Sequence, residues 1–441
     1  GIEVVRGFVQ GIDVGGGVNY SYGDKYYASF SFRRDGSSRL SPDTRWGNFW
    51  SLSASWRLSQ EKFMQSLKSV LSDLKLRASY GVNGNLPSSY YGYQSTYTTG
   101  AFYNGKPSPW ESTLGNEELT WEKNYALNLG LDIGLFSRVN VSLDWYTRTT
   151  KDLLMSKQLN SISGFSSLLT NVGQMRNTGV ELEVRSNNIK TKDFSWTTAF
   201  NLSHNKNKIL KLADLPWFVD GRYVRKEGYP FNTIYLREYA GVDPETGSAL
   251  YYDNQQDENG NYTKNKVTDP GQASPIPLKD ITPTISGGFM NTFNYKFIDL
   301  SFNLSYSFGG YSYDNASYIL QDDGYSVISN KSTEQRRRWQ KPGDITDVPR
   351  FVYGNKKGGN YNSSRAIHST DHIRLKSLIL GLNAPKAWLQ KLGIGNARIY
   401  FSGTNLLTWA AYGQYDPEMS GVVGFYTPPL KTYAFGLELK F

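Results

Sequence analysis

Few residues in this 441-residue chain have the types and spacing that catalysis requires. Gly100-Ala101-Phe102-Tyr103-Asn104-Gly105-Lys106 carries most of a phosphate-cradling loop. That motif wraps backbone N–H groups around phosphates and closes on Ser or Thr, between a strand and a helix. Pro107 stands at the closing position and the stretch lies in a polar segment, so no nucleotide site is expected. Gly15-Gly16-Gly17 lies in a strand-like stretch with no helix after it, which is not a dinucleotide fingerprint. The chain has three histidines, His204, His368 and His372. The last two are four apart and would suit a zinc pair on a helix. Ser369-Thr370-Asp371 and the strand-like Ile373 point instead to polar residues at a loop end. Neither a His-Glu-x-x-His nor a Gly-x-Ser-x-Gly pattern occurs, and there is no cysteine nucleophile, so the chain is not expected to be an enzyme.

Two further groups could bind rather than react. Asp253 and Asp257-Glu258-Asn259-Gly260-Asn261 place oxygen ligands before a glycine, as calcium prefers. Asp253, Asp257 and Asn259 are the candidate Ca2+ ligands. The closing Glu is missing at the expected offset, and an Asn-Gly turn accounts for the same residues. Aromatic side chains crowd the polar stretches, among them Tyr90, Tyr91, Tyr93, Tyr97, Phe102, Phe218 and the substrate-contact candidates Tyr103, Trp110, Trp217, Tyr325 and Trp339. Their flat faces could stack on sugars or grip peptides. The same rings could instead pack the connections together or against a partner.

The elements that must carry these groups are strands. Alternation with period 2 gives a strand two different faces. Ile298, Leu300, Phe302, Leu304, Tyr306 and Phe308 oppose Asp299, Ser301, Asn303, Ser305 and Ser307. Trp50, Leu52, Ala54, Trp56 and Leu58 oppose Ser51, Ser53, Ser55 and Arg57, and Leu74 to Asn83 repeats the pattern. At the end of the chain Tyr433, Phe435, Leu437, Leu439 and Phe441 oppose Thr432, Ala434, Gly436, Glu438 and Lys440. A soluble β-sandwich also alternates. Two features favour a transmembrane barrel. Aromatics gather near strand ends at Trp46, Trp50, Trp145, Tyr146, Trp196, Tyr295, Trp409 and Phe441, as in interfacial girdles. Tight links such as Tyr22 to Lys25, Leu135 to Arg138 and Lys296-Phe297 alternate with long polar connections near 84–118, 152–175, 209–283, 310–370 and 410–430.

Composition is compatible with that reading. Mean hydropathy is −0.51 and no run of about 18 apolar residues exists, which excludes a transmembrane helix but not a barrel strand. The absence of cysteine rules out a disulfide scaffold and fits an oxidising compartment. The net charge of +9 is scattered, with Arg336-Arg337-Arg338 the densest run, so nucleic acid is not an expected partner.

The fold class expected is all-β, a transmembrane antiparallel barrel with about 13 spanning strands. They lie near 8–22, 25–34, 47–58, 73–83, 120–134, 138–150, 176–187, 193–207, 284–296, 298–310, 372–384, 396–409 and 430–441. Alternation is blurred at 372–384. Ser59 to Ser72 reads as a short helical insert, with Glu61, Lys62, Phe63, Met64, Leu67 and Leu71 giving a rough helical stripe. An intact barrel has an even strand number and begins and ends on the periplasmic side. An odd count, and a first residue Gly1 without a signal peptide, lead to the expectation that this is the C-terminal part of a larger barrel.

Several ordered segments resemble the SusC/RagA family of TonB-dependent outer-membrane transporters of Bacteroidota. They include Asn19 to Tyr26, Arg33-Arg34-Asp35-Gly36-Ser37-Ser38-Arg39, Arg45-Trp46-Gly47 and Leu74 to Gly81. Trp121-Glu122-Lys123, Asn177 to Leu182, Gly241 to Gly247, Arg374-Leu375-Lys376, Gly403 to Thr408, Tyr415-Asp416-Pro417-Glu418 and the terminal Phe441 follow. The resemblance implies part of a barrel of about 22 strands, whose N-terminal plug is absent from this chain. It also implies import of oligosaccharides, or of peptides in some branches. The implied partners are a SusD-like lipoprotein lid, TonB-ExbB-ExbD acting through an N-terminal region, and outer-membrane lipid. Arg57, Lys75, Arg77, Asn128, Asp132, Asp144, Glu181, Glu183, Arg185, Asn303 and Glu438 would face the lumen, as a hydrogen-bonded wall, a plug contact or a substrate path. Tyr433, Phe435, Leu437, Leu439 and Phe441 resemble the signal read by the barrel-assembly machinery. A passive porin and a barrel adhesin are the alternatives.

Overall fold

The structure, a computed structural model, describes residues 11–100, 102–212, 216–355, 362–385, 388–389 and 393–441. Thirteen antiparallel strands form one sheet in chain order. They are β1 (Gly11–Tyr22), β2 (Tyr26–Ser37), β3 (Trp46–Arg57), β4 (Leu71–Asn85), β5 (Glu122–Leu135), β6 (Val139–Lys151), β7 (Gln174–Lys190), β8 (Phe194–Lys211), β9 (Ile285–Tyr295), β10 (Ile298–Phe308), β11 (His372–Asn383), β12 (Asn396–Ala410) and β13 (Thr432–Lys440). Each of the 13 stretches read from alternation is one of these strands; residues 8–10 of the first lie outside the described residues.

The chain divides into two compact units. The first comprises 1–186, 203–217 and 226–229, and the second 187–202, 218–225 and 230–441. In the first unit, strand register turns alternation into continuous rows. Tyr26, Trp56, Leu76, Leu131, Leu143 and Leu182 stand side by side on one face. Arg57, Lys75, Asp132, Ser142 and Glu183 form a row on the other, and Ser55, Arg77, Gly130, Asp144 and Glu181 the next. The second unit repeats the scheme, with Tyr295, Ile298, Leu382, Ile399 and Leu437 in one apolar row. The apolar faces carry exposed Trp46, Trp50, Trp56, Trp145 and Trp409, and Phe435 is 81% exposed. Apolar area on this scale needs a hydrocarbon surround.

Tight turns close several hairpins. Gly23 and Asp24 both have positive φ, as do Phe136 and Ser137, the geometry whose twist matches paired strands. The insert after β3 differs from expectation. It is two short 3-10 turns, Leu58–Gln60 and Lys62–Leu67, and Phe63 and Leu67 are exposed. Six residues cannot bury an apolar stripe, and a side chain fixes the segment instead. Glu61 accepts hydrogen bonds from Tyr26 Oη (2.6 Å), Lys25 Nζ (2.9 Å) and Trp56 Nε1 (3.2 Å). These hold its carboxyl down at about 2, Tyr26 contributing most. A carboxyl lowered on folding stabilises the fold fully above its unfolded value of 4.5 and loses that contribution as pH falls through about 2. Glu61→Gln is therefore expected to flatten part of the decline in thermal unfolding temperature between those pH values. Parallel wild-type and variant curves would refute this.

The long connections are folded, unlike the bare polar stretches that the sequence suggested. Leu154–Gln158 pairs with Ser167–Asn171. Tyr239–Val242, Ala249–Tyr252 and Lys266–Val267 form a three-stranded sheet. Ile234, Leu236, Tyr313 and Ala366 make a small core within the second unit. Leu40, Phe49, Leu119 and Trp121 make another within the first.

Candidate functional site

Two sites emerge, one in each unit. On the polar face of the first unit the Arg77 guanidinium lies between two carboxylates. Its Nε is 2.8 Å from Asp132 and its Nη1 2.9 Å from Asp144, while Nη2 donates to Ser142 at 3.0 Å. The strand between permits this by having no side chain. A Cβ on Gly130 would stand 2.5 Å from Arg77 Cζ and 2.6 Å from Asp144 Oδ1. Arg57 is paired in the same way with Asp24 and Asp73, both at 2.9 Å. Above Arg77, Asn19, Ser29, Ser53, Ser79 and Asn128 line an open cavity of about 410 Å³. The polar face here is thus rich in hydroxyls and amides, with the Arg57 and Arg77 guanidiniums already matched.

The second unit holds a larger cavity of about 590 Å³ among its connections. Its frame is Arg374, at 3% exposure, which binds Asp416 at 2.7 Å and Glu418 at 2.9 Å and donates to Thr408 Oγ1 at 3.0 Å. Lys376 adds a contact to Glu418 at 2.6 Å. These bonds clamp Tyr415-Asp416-Pro417-Glu418 onto β11. The Tyr412 hydroxyl donates to Asp314 at 3.1 Å, and its ring stacks on His368 at 3.7 Å. Tyr415 and Ser312 share a hydrogen bond. Asp314 also caps the short helix Asn315–Leu320 through the Ser317 N–H. Burial pushes the Tyr412 and Tyr415 hydroxyls up and the His368 imidazole down, so all three stay neutral at pH 7. Phe425 and Tyr426, both exposed, complete the lining. Chemically the cavity offers aromatic faces beside carboxylate, guanidinium and amide groups, which suits binding and holds no nucleophile–base pair.

The structure scatters the aromatic candidates. Tyr103 is 80% exposed on a hairpin whose turn is Asn104-Gly105, both at positive φ; this disposes of the phosphate-loop geometry, and Ala101 lies outside the described residues. Trp110, Trp217 and Tyr325 are exposed at separate places. Trp339 is not an open platform. Its Nε1 donates to the Pro244 carbonyl at 2.8 Å, and a Cβ on Gly247 would stand 2.4 Å from its ring. It anchors the Asp243 to Gly247 turn. None of the five lines the cavity of the second unit. Sequence reasoning missed Tyr412, Tyr415, Phe425, Tyr426 and Arg374 as site residues, although two segments that carried the family resemblance contain Arg374 and Tyr415.

The calcium candidates are engaged otherwise. The Asp257 carboxylate accepts the N–H groups of Asn261 (2.8 Å) and Asn259 (2.9 Å), which lower its carboxyl below the ordinary range. Asp253 accepts from Thr263 and Asn265. Among the described residues no group of three or more acidic or histidine side chains is arranged to hold a metal. These are the bonds of an Asn-Gly turn. His372 Nδ1 lies 2.8 Å from the Thr370 carbonyl, apart from the stacked His368. Glu183 and Arg185 pair with one another on the polar face, and Glu181 stands opposite Asp144. Tyr433, Phe435, Leu437, Leu439 and Phe441 are all exposed.

Comparison with known proteins agrees with this geometry. Residues 8–236 match the family described as TonB dependent receptor-like, beta-barrel. The chain is 33% identical to TonB-dependent receptor P3 of Formosa agariphila, over 98% of this chain and 45% of that protein. It is 30% identical to TonB-dependent receptor SusC of Bacteroides thetaiotaomicron, over 97% of this chain and 43% of that protein. The solved RagAB peptide transporter superposes with a TM-score of 0.88 at 31% identity, over 98% of this chain and 48% of that one. The chain spans about half the length of the curated relatives it matches. With a two-faced 13-stranded sheet and these relatives, it belongs to the TonB-dependent receptor β-barrel family of the bacterial outer membrane, is SusC/RagA-like within it, and is no enzyme.

Proposed function

We propose that this chain supplies the membrane wall and the capture loops of an active importer that carries oligosaccharides or peptides across the outer membrane. The observation that carries the reading is the likeness to the RagAB peptide transporter along 98% of the chain. The same likeness favours peptides as the second cargo class. In this reading the tight turns face the periplasm and the long connections face the cell exterior. Arg57, Arg77, Asp132, Asp144, Glu181, Glu183 and Arg185 line the lumen. A SusD-like lipoprotein closes over the connections, and TonB-ExbB-ExbD drives the cycle through a plug. Tyr433, Phe435, Leu437, Leu439 and Phe441 serve as the assembly signal.

The test is uptake by cells that carry the full-length protein, with labelled oligosaccharides and labelled peptides, in the presence and absence of TonB. Uptake of one class that disappears without TonB is the expected result. Uptake indifferent to TonB would make the protein a passive porin. Surface binding without entry would make it an adhesin.

A further inference from the structure

One charged cluster belongs to neither site. On the apolar face of the first unit, the row beside the long connections carries cations where the rows below carry Leu and Trp. Lys123, near the start of β5, stands directly opposite Lys151, at the end of β6. Arg176 of β7 pairs with Thr149, one diagonal from Lys151. The three share the face of Leu129, Leu131, Leu143 and Trp145, so they are no part of the polar wall. Like charges placed directly opposite on neighbouring strands repel. The acid beside them is Asp152, whose carboxylate is 3.7 Å from Lys123 Nζ with both side chains well exposed. The Lys151 ammonium lies 5.0 Å from the centre of the Tyr125 ring, and Arg176 Nε donates to Thr149 Oγ1 at 3.1 Å. Three cations thus occupy adjacent register positions on this face, and among the described residues the ion pair they make is the one from Lys123 to Asp152. They sit one row beyond, or level with, the row of Trp50 and Tyr125, rings of the kind that mark a membrane interface.

We propose that Lys123, Lys151 and Arg176 form a binding site for the phosphate of a lipid headgroup in the outer leaflet. The proposal rests on the reading that the long connections face the cell exterior. A doubly charged phosphate relieves the Lys–Lys repulsion, and the Arg guanidinium offers it a planar pair of donors. The Leu and Trp rows beneath receive the acyl chains, so headgroup and tail are bound by one continuous strip. A soluble anion gains only the first of these contributions.

The experiment uses the full-length protein in detergent, with folding of every variant checked by its altered gel mobility before boiling. Binding is measured for diphosphorylated lipid A, for the same lipid without phosphates, and for inorganic phosphate. Diphosphorylated lipid A is expected to bind best. The Lys123→Gln/Lys151→Gln/Arg176→Gln variant is expected to bind it roughly tenfold to a hundredfold more weakly, and Lys106→Gln, on the exposed hairpin, to bind it like wild type. Should the triple variant not fold, Lys151→Gln alone is read in the same way, with a loss of roughly threefold to tenfold. Unchanged affinity in a folded variant, equal binding of phosphate-free lipid, or equal binding of inorganic phosphate would each overturn the proposal. A separate arm labels Asn104→Cys in intact cells with an impermeant maleimide. Labelling upholds the orientation, so that a negative lipid result then condemns the lipid site alone. An unlabelled cysteine removes the orientation, and the lipid site with it.

Discussion

Arg374→Ala is expected to release the segment after β12 from β11 and to destabilise that region by about 3–5 kcal/mol, the cost of stripping the partner from a buried carboxylate. The Arg374 side chain is 4% exposed and that of Asp416 6%, so water cannot replace the lost guanidinium without opening the structure. Glu418 keeps Lys376, which limits the damage on that side. Arg374→Lys should recover part of the loss, because one ammonium cannot fork between two carboxylates. Hydrogen exchange of amides 411–423 reads the result directly. Exchange as slow in the variant as in wild type would mean that the clamp does not hold this segment.

The second large effect lies at Arg365, whose guanidinium meets the fully buried Asp323 through Nη1 (2.5 Å) and Nη2 (3.2 Å). Arg365→Met removes a guanidinium that pairs with this buried carboxylate and is expected to cost about 3–5 kcal/mol locally. The Gln335 amide, 2.9 Å from Asp323, donates to the same carboxylate. Adding Asp323→Asn should restore most of the loss, since a neutral amide in the same place no longer needs a counter-charge. Limited proteolysis of the segment around 321–337 reports both variants. If the double variant is cleaved as fast as the single one, the buried charge is not the cause.

The strands were legible because each has one apolar and one polar face, and Trp50 to Arg57 needs no partner to reveal it. β11 was blurred for a structural reason. Its register shifts between Leu375 and Ser377 against β12, and β10 shifts against it between Asn303 and Leu304. Ile373 and Leu375 therefore share a face with Leu378, Leu380 and Leu382, and the apolar parity changes at Lys376. A bulge hides alternation by inserting one residue. The small sheets in the connections stayed hidden because pieces such as Phe102–Tyr103 are too short to show any period. The site fared worse. Arg374 and Asp416 meet across 42 residues, and no local spacing foretells that meeting. Trp339 looked like a platform because its cover, Gly247, is remote in the chain and shows nothing of itself in composition.

The matched charges of the polar face have a consequence for anything that slides along it. Arg57, Lys75 and Arg77 stand among Asp24, Asp73, Asp132 and Asp144, and Arg398 is paired with Asp299 at 2.6 Å. At a distance of several ångströms such groupings act as small dipoles, whose potential dies away faster than that of a bare ion and is screened further by salt. A molecule of either sign meets shallow, short-range attractions at these paired groups. On the proposal that this face lines the import path, these paired groups give cargo a low-friction stretch of wall and leave firm grip to the loops.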